Sequence, residues 1–161
     1  MTNPPPAPDP ADKPNVLVLP PLLYVAALAA GLLAHWAAPH LILTSSTHYW
    51  AGGILVALGV AIAVWGRVLM ARAGTNVNPF QPTTAIVTTG PFRFSRNPLY
   101  VGLTLTYLGG ALLTNSLWVL ALLAPVLLIM HFGVVRREER YLETKFGDAY
   151  RAYRARVRRY L

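Results

Sequence analysis

Two long stretches of this chain carry no charged side chain, and they restrict the folds open to it. No Asp, Glu, Lys or Arg occurs in residues 14–66, a run of 53 residues, or in residues 97–135, a run of 39. A bilayer core is about 30 Å thick, and a helix of roughly 20 apolar residues crosses it. The first run holds two crossings and a loop, and the second must fold back on itself. These runs predict an all-α integral membrane protein with about four transmembrane helices in two hairpins.

The composition excludes an ordinary soluble domain. Hydrophobic residues make up 55% of the 161 residues and charged residues 12%, whereas soluble domains carry about 25% charged residues. Most of the chain is also too apolar to be disordered. The absence of cysteine excludes disulfides, a thiol nucleophile and thiolate metal sites.

The predicted domain organisation is a tail followed by one membrane domain. Residues 1–15 are polar and rich in proline, which predicts a disordered N-terminal tail. Residues 16–161 form a single domain, in which the polar connection 71–97 and the basic C-terminal segment 136–161 are expected to lie outside the bilayer. After Gly147, Tyr150, Tyr153, Val157 and Tyr160 recur at spacings of three and four, which predicts a C-terminal amphipathic helix, cytoplasmic or interfacial. The four membrane helices are predicted at residues 16–37, 49–70, 98–114 and 117–135.

The basic residues predict the orientation. All 14 Lys and Arg lie in the termini, in the connection 71–97 or at the adjoining helix ends, and the loops 38–48 and 115–116 carry none. The positive-inside rule therefore predicts that both termini and the connection are cytoplasmic, which for a bacterial protein means the inner membrane. This asymmetry explains the net charge of +8 without a nucleic-acid partner.

Two clusters at this basic side could carry chemistry. Residues 90–102, GPFRFSRNPLYVG, offer arginines, an amide and a phenol at the start of the third helix, where backbone donors favour anionic groups. Their alternative role is contact with lipid headgroups. Just past the fourth helix, Glu138 and Glu139 can attract cations or accept protons, or can simply pair with neighbouring arginines. No metal site is expected, since the chain has neither an HExxH motif nor a His-rich tract.

Taken together, TTAIVTTGPFRFSRNPLYVG (residues 83–102) and EERYLETKFGDAYRAYRARVRRYL (residues 138–161) resemble the isoprenylcysteine carboxyl methyltransferase family. More broadly, they resemble the membrane phospholipid methyltransferases. The resemblance implies an enzyme that moves a methyl group from S-adenosyl-L-methionine to the carboxylate of a lipid-like or prenylated acceptor. Methylation of a phospholipid amine is the alternative. In another class, a non-catalytic membrane scaffold or transport component remains open.

The resemblance also implies site residues, by matching position. Glu139 would help to remove a proton from an amine acceptor, and Arg136 or Arg137 would hold a substrate carboxylate. Asn97 stands where the family more often has histidine. The oligomeric state is left open, and membrane lipids are expected neighbours. The residues implied in cofactor binding are Thr84, Ala85, Ile86, Val87, Phe92, Asn97, Pro98, Leu99, Tyr100 and Glu138.

Overall fold

The computed structural model describes residues 12–161, which are mainly helical. A 3-10 turn at Gly90–Arg93 precedes the third helix, and a π-helical segment at Met130–Val135 continues the fourth helix directly into the fifth. The α-helices are α1 (Pro20–Ala37), α2 (Thr47–Arg72), α3 (Pro98–Leu113), α4 (Leu117–Ile129), α5 (Arg136–Phe146) and α6 (Asp148–Arg156).

The helices confirm an all-α membrane fold. Three helical stretches are long and apolar enough to cross a bilayer: α1, α2 and the continuous helix that begins with α4. The apolar helix α3 has 16 residues, a length of about 24 Å. The expected count of four crossings therefore depends on α3 and stays a prediction.

Helices α2 and α3 pack with their backbones in contact, and glycine makes this possible. A Cβ atom added at Gly59 would lie 2.6 Å from the carbonyl oxygen of Gly102. One added at Gly52 would lie 2.8 Å from the carbonyl oxygen of Gly109. Both pairs are separated by seven residues along each helix, so they lie on one face. Small residues allow such close approach, which favours helix association in lipid.

Replacing Gly59 by alanine should destabilise the fold by about 1–3 kcal/mol, the usual cost of overpacking. The new methyl group would meet backbone atoms of α3, which cannot rotate away. Gly53→Ala is the matched control, because nothing lies within 4 Å of a Cβ atom there. The measurement is the thermal unfolding midpoint in one detergent. Equal midpoints for the two variants would contradict the glycine contact.

The second hairpin turns at Asn115, as expected from the sequence, and opens at its other end. Asn115 has a positive φ of 47°, and its side-chain oxygen accepts hydrogen bonds from the backbone of Ile42 and Leu43. From this turn, α3 packs mainly along α2, whereas α4 packs mainly along α1. The opposite end of the bundle, where α3 begins and the π segment ends, is called the basic end below.

The C-terminal part of the chain folds back over the basic end. Tyr150 and Tyr153 of α6 are 2% and 5% exposed, and the Tyr153 hydroxyl donates to the carbonyl oxygen of Phe92 at 2.8 Å. The backbone N–H of Arg96 donates to the carbonyl oxygen of Arg158 at 2.9 Å. The predicted helix is present as α6, but it ends at Arg156, before Val157 and Tyr160, and its two buried tyrosines pack against the protein instead of a membrane surface.

Candidate active site

A cavity that is open on one side lies at the basic end. Its walls come from the connection between α2 and α3, the first turn of α3, helix α5 and the buried face of α6.

The cavity brings together nine of the ten residues implied in cofactor binding. The exception is Thr84, whose hydroxyl donates to the carbonyl oxygen of Gly74 at 2.7 Å and does not line the cavity. The nine that line it are Ala85, Ile86, Val87, Phe92, Asn97, Pro98, Leu99, Tyr100 and Glu138.

A short hydrogen bond joins α3 to α5 inside the cavity. The Tyr100 hydroxyl donates to Oε1 of Glu138 at 2.6 Å. Among the residues that the structure describes, no Lys or Arg forms an ion pair with Glu138. A partly buried carboxylate without a counterion is costly, because it loses hydration without gaining a charged partner. The site therefore favours a ligand that brings a positive charge.

Aromatic rings complete the lining, and three of them were not among the residues implied by the sequence. These are Tyr141 of α5 and the α6 residues Tyr150 and Tyr153. Burial raises the pKa of Tyr150 to about 12, so its hydroxyl stays protonated at neutral pH. Rings next to a carboxylate suit a ligand that is both planar and cationic. The spacing of the α6 tyrosines was visible in the sequence, but it did not show which surface they face.

The neighbouring residue Glu139 points to a different set of partners. Its carboxylate lies 3.0 Å from Arg96 Nη2, and it accepts two hydrogen bonds from Arg159 at 2.8 and 3.0 Å. The side chains of Glu139 and Arg96 are only 9% and 7% exposed. Glu139 thus joins α5 to the start of α3 and to the C-terminal segment. It does not line the cavity, and its implied catalytic role stays a prediction.

The two arginines implied in substrate binding lie outside the cavity. The guanidinium of Arg136 sits over the ring of Phe132, 5.5 Å from its centroid. Arg137 Nη1 donates to the carbonyl oxygen of Asn15 at 3.0 Å. Their substrate role is likewise a prediction.

A second, apolar cavity opens between α3 and α4 at the basic end; we call it the crevice. Tyr100 lines both the crevice and the first cavity, and so forms a wall between them. The crevice is lined by Tyr24, Tyr100, Val101, Thr104, Leu105, Leu127, Leu128, Met130, His131, Val135, Tyr160 and Leu161.

Part of the predicted N-terminal tail lies beside the first cavity. Pro14 lines the cavity, and Asp12 accepts a hydrogen bond from the Tyr141 hydroxyl at 2.7 Å. Lys145 also pairs with Asp12. The hydrogen bonds from Lys145 and Tyr141 lower the pKa of the Asp12 carboxyl. Residues 1–11, the rest of that tail, lie outside the described residues.

The family model for phospholipid methyltransferases matches residues 47–149 of this chain. The match covers α2 to the start of α6, and therefore includes most of the first cavity and much of the crevice.

Individual relatives are bacterial. The cobalt-zinc-cadmium resistance protein CzcN of Cupriavidus metallidurans is 36% identical over 91 residues, which are 56% of this chain and 40% of that protein. The nickel-cobalt-cadmium resistance protein NccN of Alcaligenes xylosoxydans xylosoxydans is 34% identical over 91 residues, 56% of this chain and 41% of that protein. An uncharacterized protein of Haemophilus influenzae is 47% identical over 64 residues, 39% of this chain and the whole of that protein.

The chain spans about two fifths of the length of the two metal-resistance relatives. No solved structure matches it. Within residues 12–161, no three His, Asp or Glu side chains are grouped as metal ligands would be.

Proposed function

The chain belongs to the phospholipid methyltransferase family, and from this premise we propose that it is a membrane methyltransferase that uses S-adenosylmethionine. The acceptor is a lipid-like molecule that reaches the site from the bilayer. The observation that carries the proposal is the position of Tyr100, which separates a cavity that contains Glu138 from a crevice that is almost wholly apolar.

The residues of the first cavity fit this cofactor. Glu138, which pairs with no Lys or Arg among residues 12–161, offers its carboxylate to the amino group of the methionine part, and the aromatic rings offer faces to the adenine. The backbone of residues 85–87 adds polar groups along one wall. When bound, S-adenosylmethionine supplies a methyl group on a cationic sulfur, which needs no acid activation.

The protein's own contribution is mainly positioning. Tyr100 holds Glu138 by its hydroxyl and also presents its ring to the crevice. A polar donor and an apolar acceptor can therefore enter from different phases and meet at one side chain. Holding two reactants in line and excluding water accounts for a large part of such a rate enhancement.

Within this function, a carboxylate acceptor is our first proposal. Arg136 and Arg137 directly follow Val135, which lines the crevice, and a guanidinium fork matches a carboxylate. A phospholipid amine is the second candidate. The crevice lining within the described residues contains no Lys or Arg that would repel an amine.

Methyl incorporation distinguishes the two acceptors. The protein is placed in phosphatidylglycerol nanodiscs with methyl-labelled S-adenosylmethionine and either an S-prenylated N-acetylcysteine or phosphatidylethanolamine. Methyl esters release labelled methanol in base, whereas methylamines retain their label. Absence of labelled product from both acceptors, together with no cofactor binding by calorimetry, would contradict the proposed function.

For the carboxylate acceptor, Arg136→Ala or Arg137→Ala should raise the acceptor KM and leave the cofactor Kd within about twofold, as expected for loss of a substrate-only contact. Arg72→Ala is the control, because Arg72 is exposed at the end of α2 and lines neither cavity. Unchanged KM values in both variants would leave the carboxylate acceptor without support from these arginines.

We propose further that the basic end faces the cytoplasm, in the inner membrane of a bacterium. The support is the placement of all 14 Lys and Arg at this end or in the termini. Single cysteines at Ser46 and Lys13 should then be labelled from opposite sides of the membrane, and labelling from one side would contradict the orientation.

A further inference from the structure

Residues 158 and 159 are attached both to the segment that leads into α3 and to α5. The carbonyl oxygen of Arg159 accepts a hydrogen bond from Asn97 Nδ2 at 2.9 Å, and its guanidinium makes the paired contacts with Glu139. Residue 158 forms an isolated parallel bridge with Ser95. Three separate attachments therefore determine where the next residue, Tyr160, is placed.

Tyr160 projects into the crevice. Its hydroxyl lies 2.9 Å from Nδ1 of His131, in hydrogen-bonding contact, and both residues line the crevice. His131 belongs to the π-helical segment, a distortion that is frequent at functional sites. The contact between Tyr160 and His131 therefore joins the C-terminal segment to the π-helical segment.

This polar pair lies at the end of the crevice where the reaction is proposed to occur. Asn97, which holds Arg159, precedes Tyr100 by three residues, so the two lie on neighbouring positions of the first turn of α3. Leu127 and Leu128 of α4 and Met130 of the π-helical segment add apolar lining. The crevice is thus mainly apolar, and the polar side chains in its lining are those of Tyr24, Tyr100, Thr104, His131 and Tyr160.

From this geometry, we propose that Tyr160 determines acceptor specificity. Its ring, fixed by His131 and by the Arg159 attachments, limits the bulk of the polar group that can lie beside Tyr100. The crevice then accepts a single apolar chain with a small polar end and excludes a bulky phospholipid headgroup. This inference rests on the proposed function for its meaning, but the selectivity itself can be measured without methyl transfer.

The test uses two photoreactive probes with the same diazirine-bearing acyl chain. One is the free fatty acid and the other is a phosphatidylcholine, each added to the protein in phosphatidylglycerol nanodiscs. Cross-links are mapped by mass spectrometry to the crevice residues Val101 and Leu128, and to Val60 and Val64 on the exposed face of α2 as an internal reference. In the wild type, the fatty acid should label the crevice, and the phosphatidylcholine should label mainly α2.

Tyr160→Ala should increase the ratio of crevice labelling to α2 labelling by phosphatidylcholine about tenfold. A change of this size is at the low end of what one altered pocket contact produces. Tyr160→Trp should lower labelling by the fatty acid, because the larger ring narrows the same opening. Tyr49→Ala is the matched control, since Tyr49 is 59% exposed at the other end of the bundle. Thermal unfolding midpoints verify that each variant is folded.

Equal phosphatidylcholine labelling of the crevice in wild type and Tyr160→Ala would overturn this inference. Neither probe needs the cofactor, so a failure of the methyltransferase proposal leaves the labelling result interpretable. Methyl transfer with unchanged probe selectivity would instead retain the proposed function and reject the role of Tyr160.

Discussion

Replacing Glu138 by glutamine should weaken S-adenosylmethionine binding about ten- to a hundredfold, as expected when a charge-assisted hydrogen bond worth roughly 1.5–3 kcal/mol is lost. The variant keeps the size of the side chain and removes only its charge. Because no described Lys or Arg pairs with Glu138, that charge is available to a cationic ligand. Calorimetric titration in detergent measures the change in Kd.

Glu143→Gln is the control for this variant. Glu143 lies on the same helix, α5, but pairs at the surface with Arg154 at 2.8 Å and does not line the cavity. S-adenosylhomocysteine sharpens the experiment, because it keeps the amino group and lacks the sulfonium charge. Equal losses for the two ligands would place Glu138 at the amino group, as proposed. An unchanged Kd for both would show that Glu138 does not bind the cofactor.

Glu139→Ala should lower the free energy of unfolding by about 3–5 kcal/mol, the usual cost of removing one partner from a buried ion pair. The Arg96 guanidinium, 7% exposed, would be left without its carboxylate, and Arg159 would lose both of its side-chain hydrogen bonds. For a chain of this length, we expect the unfolding midpoint to fall by roughly 10 °C.

Two comparisons separate a structural role of Glu139 from a catalytic one. Glu143→Ala removes an exposed ion pair and should cost no more than about 1 kcal/mol. Arg159→Ala should cost less than Glu139→Ala, because Glu139 would still neutralise Arg96. If Glu139→Ala kept the wild-type midpoint and lost methyl transfer, the proton-accepting role implied by the family resemblance would be favoured instead.

The sequence predicted the bounds of the four apolar helices to within a few residues. The charge-free runs 14–66 and 97–135 are longer than single crossings, so hairpins were the only compact solution. The largest differences are at two ends: α1 begins at Pro20 instead of residue 16, and the fourth helix passes through a π segment directly into α5. Periodicity did not reveal that segment, because its residues are as apolar as those before it.

The candidate site was predictable where a motif carried it and not elsewhere. The first turn of α3 and Glu138 were implied by the family resemblance, and the structure brings them together at Tyr100. Arg159 gave no comparable signal. An arginine among several basic residues looks like surface charge until its partner, Glu139, is known.

Hydropathy and charge by themselves determined that this protein is helical, lies in a membrane and concentrates its basic residues at one end. Hydropathy and charge indicate whether a segment partitions into lipid or into water, and this partitioning depends on the segment's own residues alone. Only the tertiary structure decided which apolar faces meet each other and which meet lipid, since both kinds of surface are equally apolar inside a bilayer. The glycine contacts of α2 with α3, the burial of Glu139 and the place of Tyr100 between two cavities all depend on that choice.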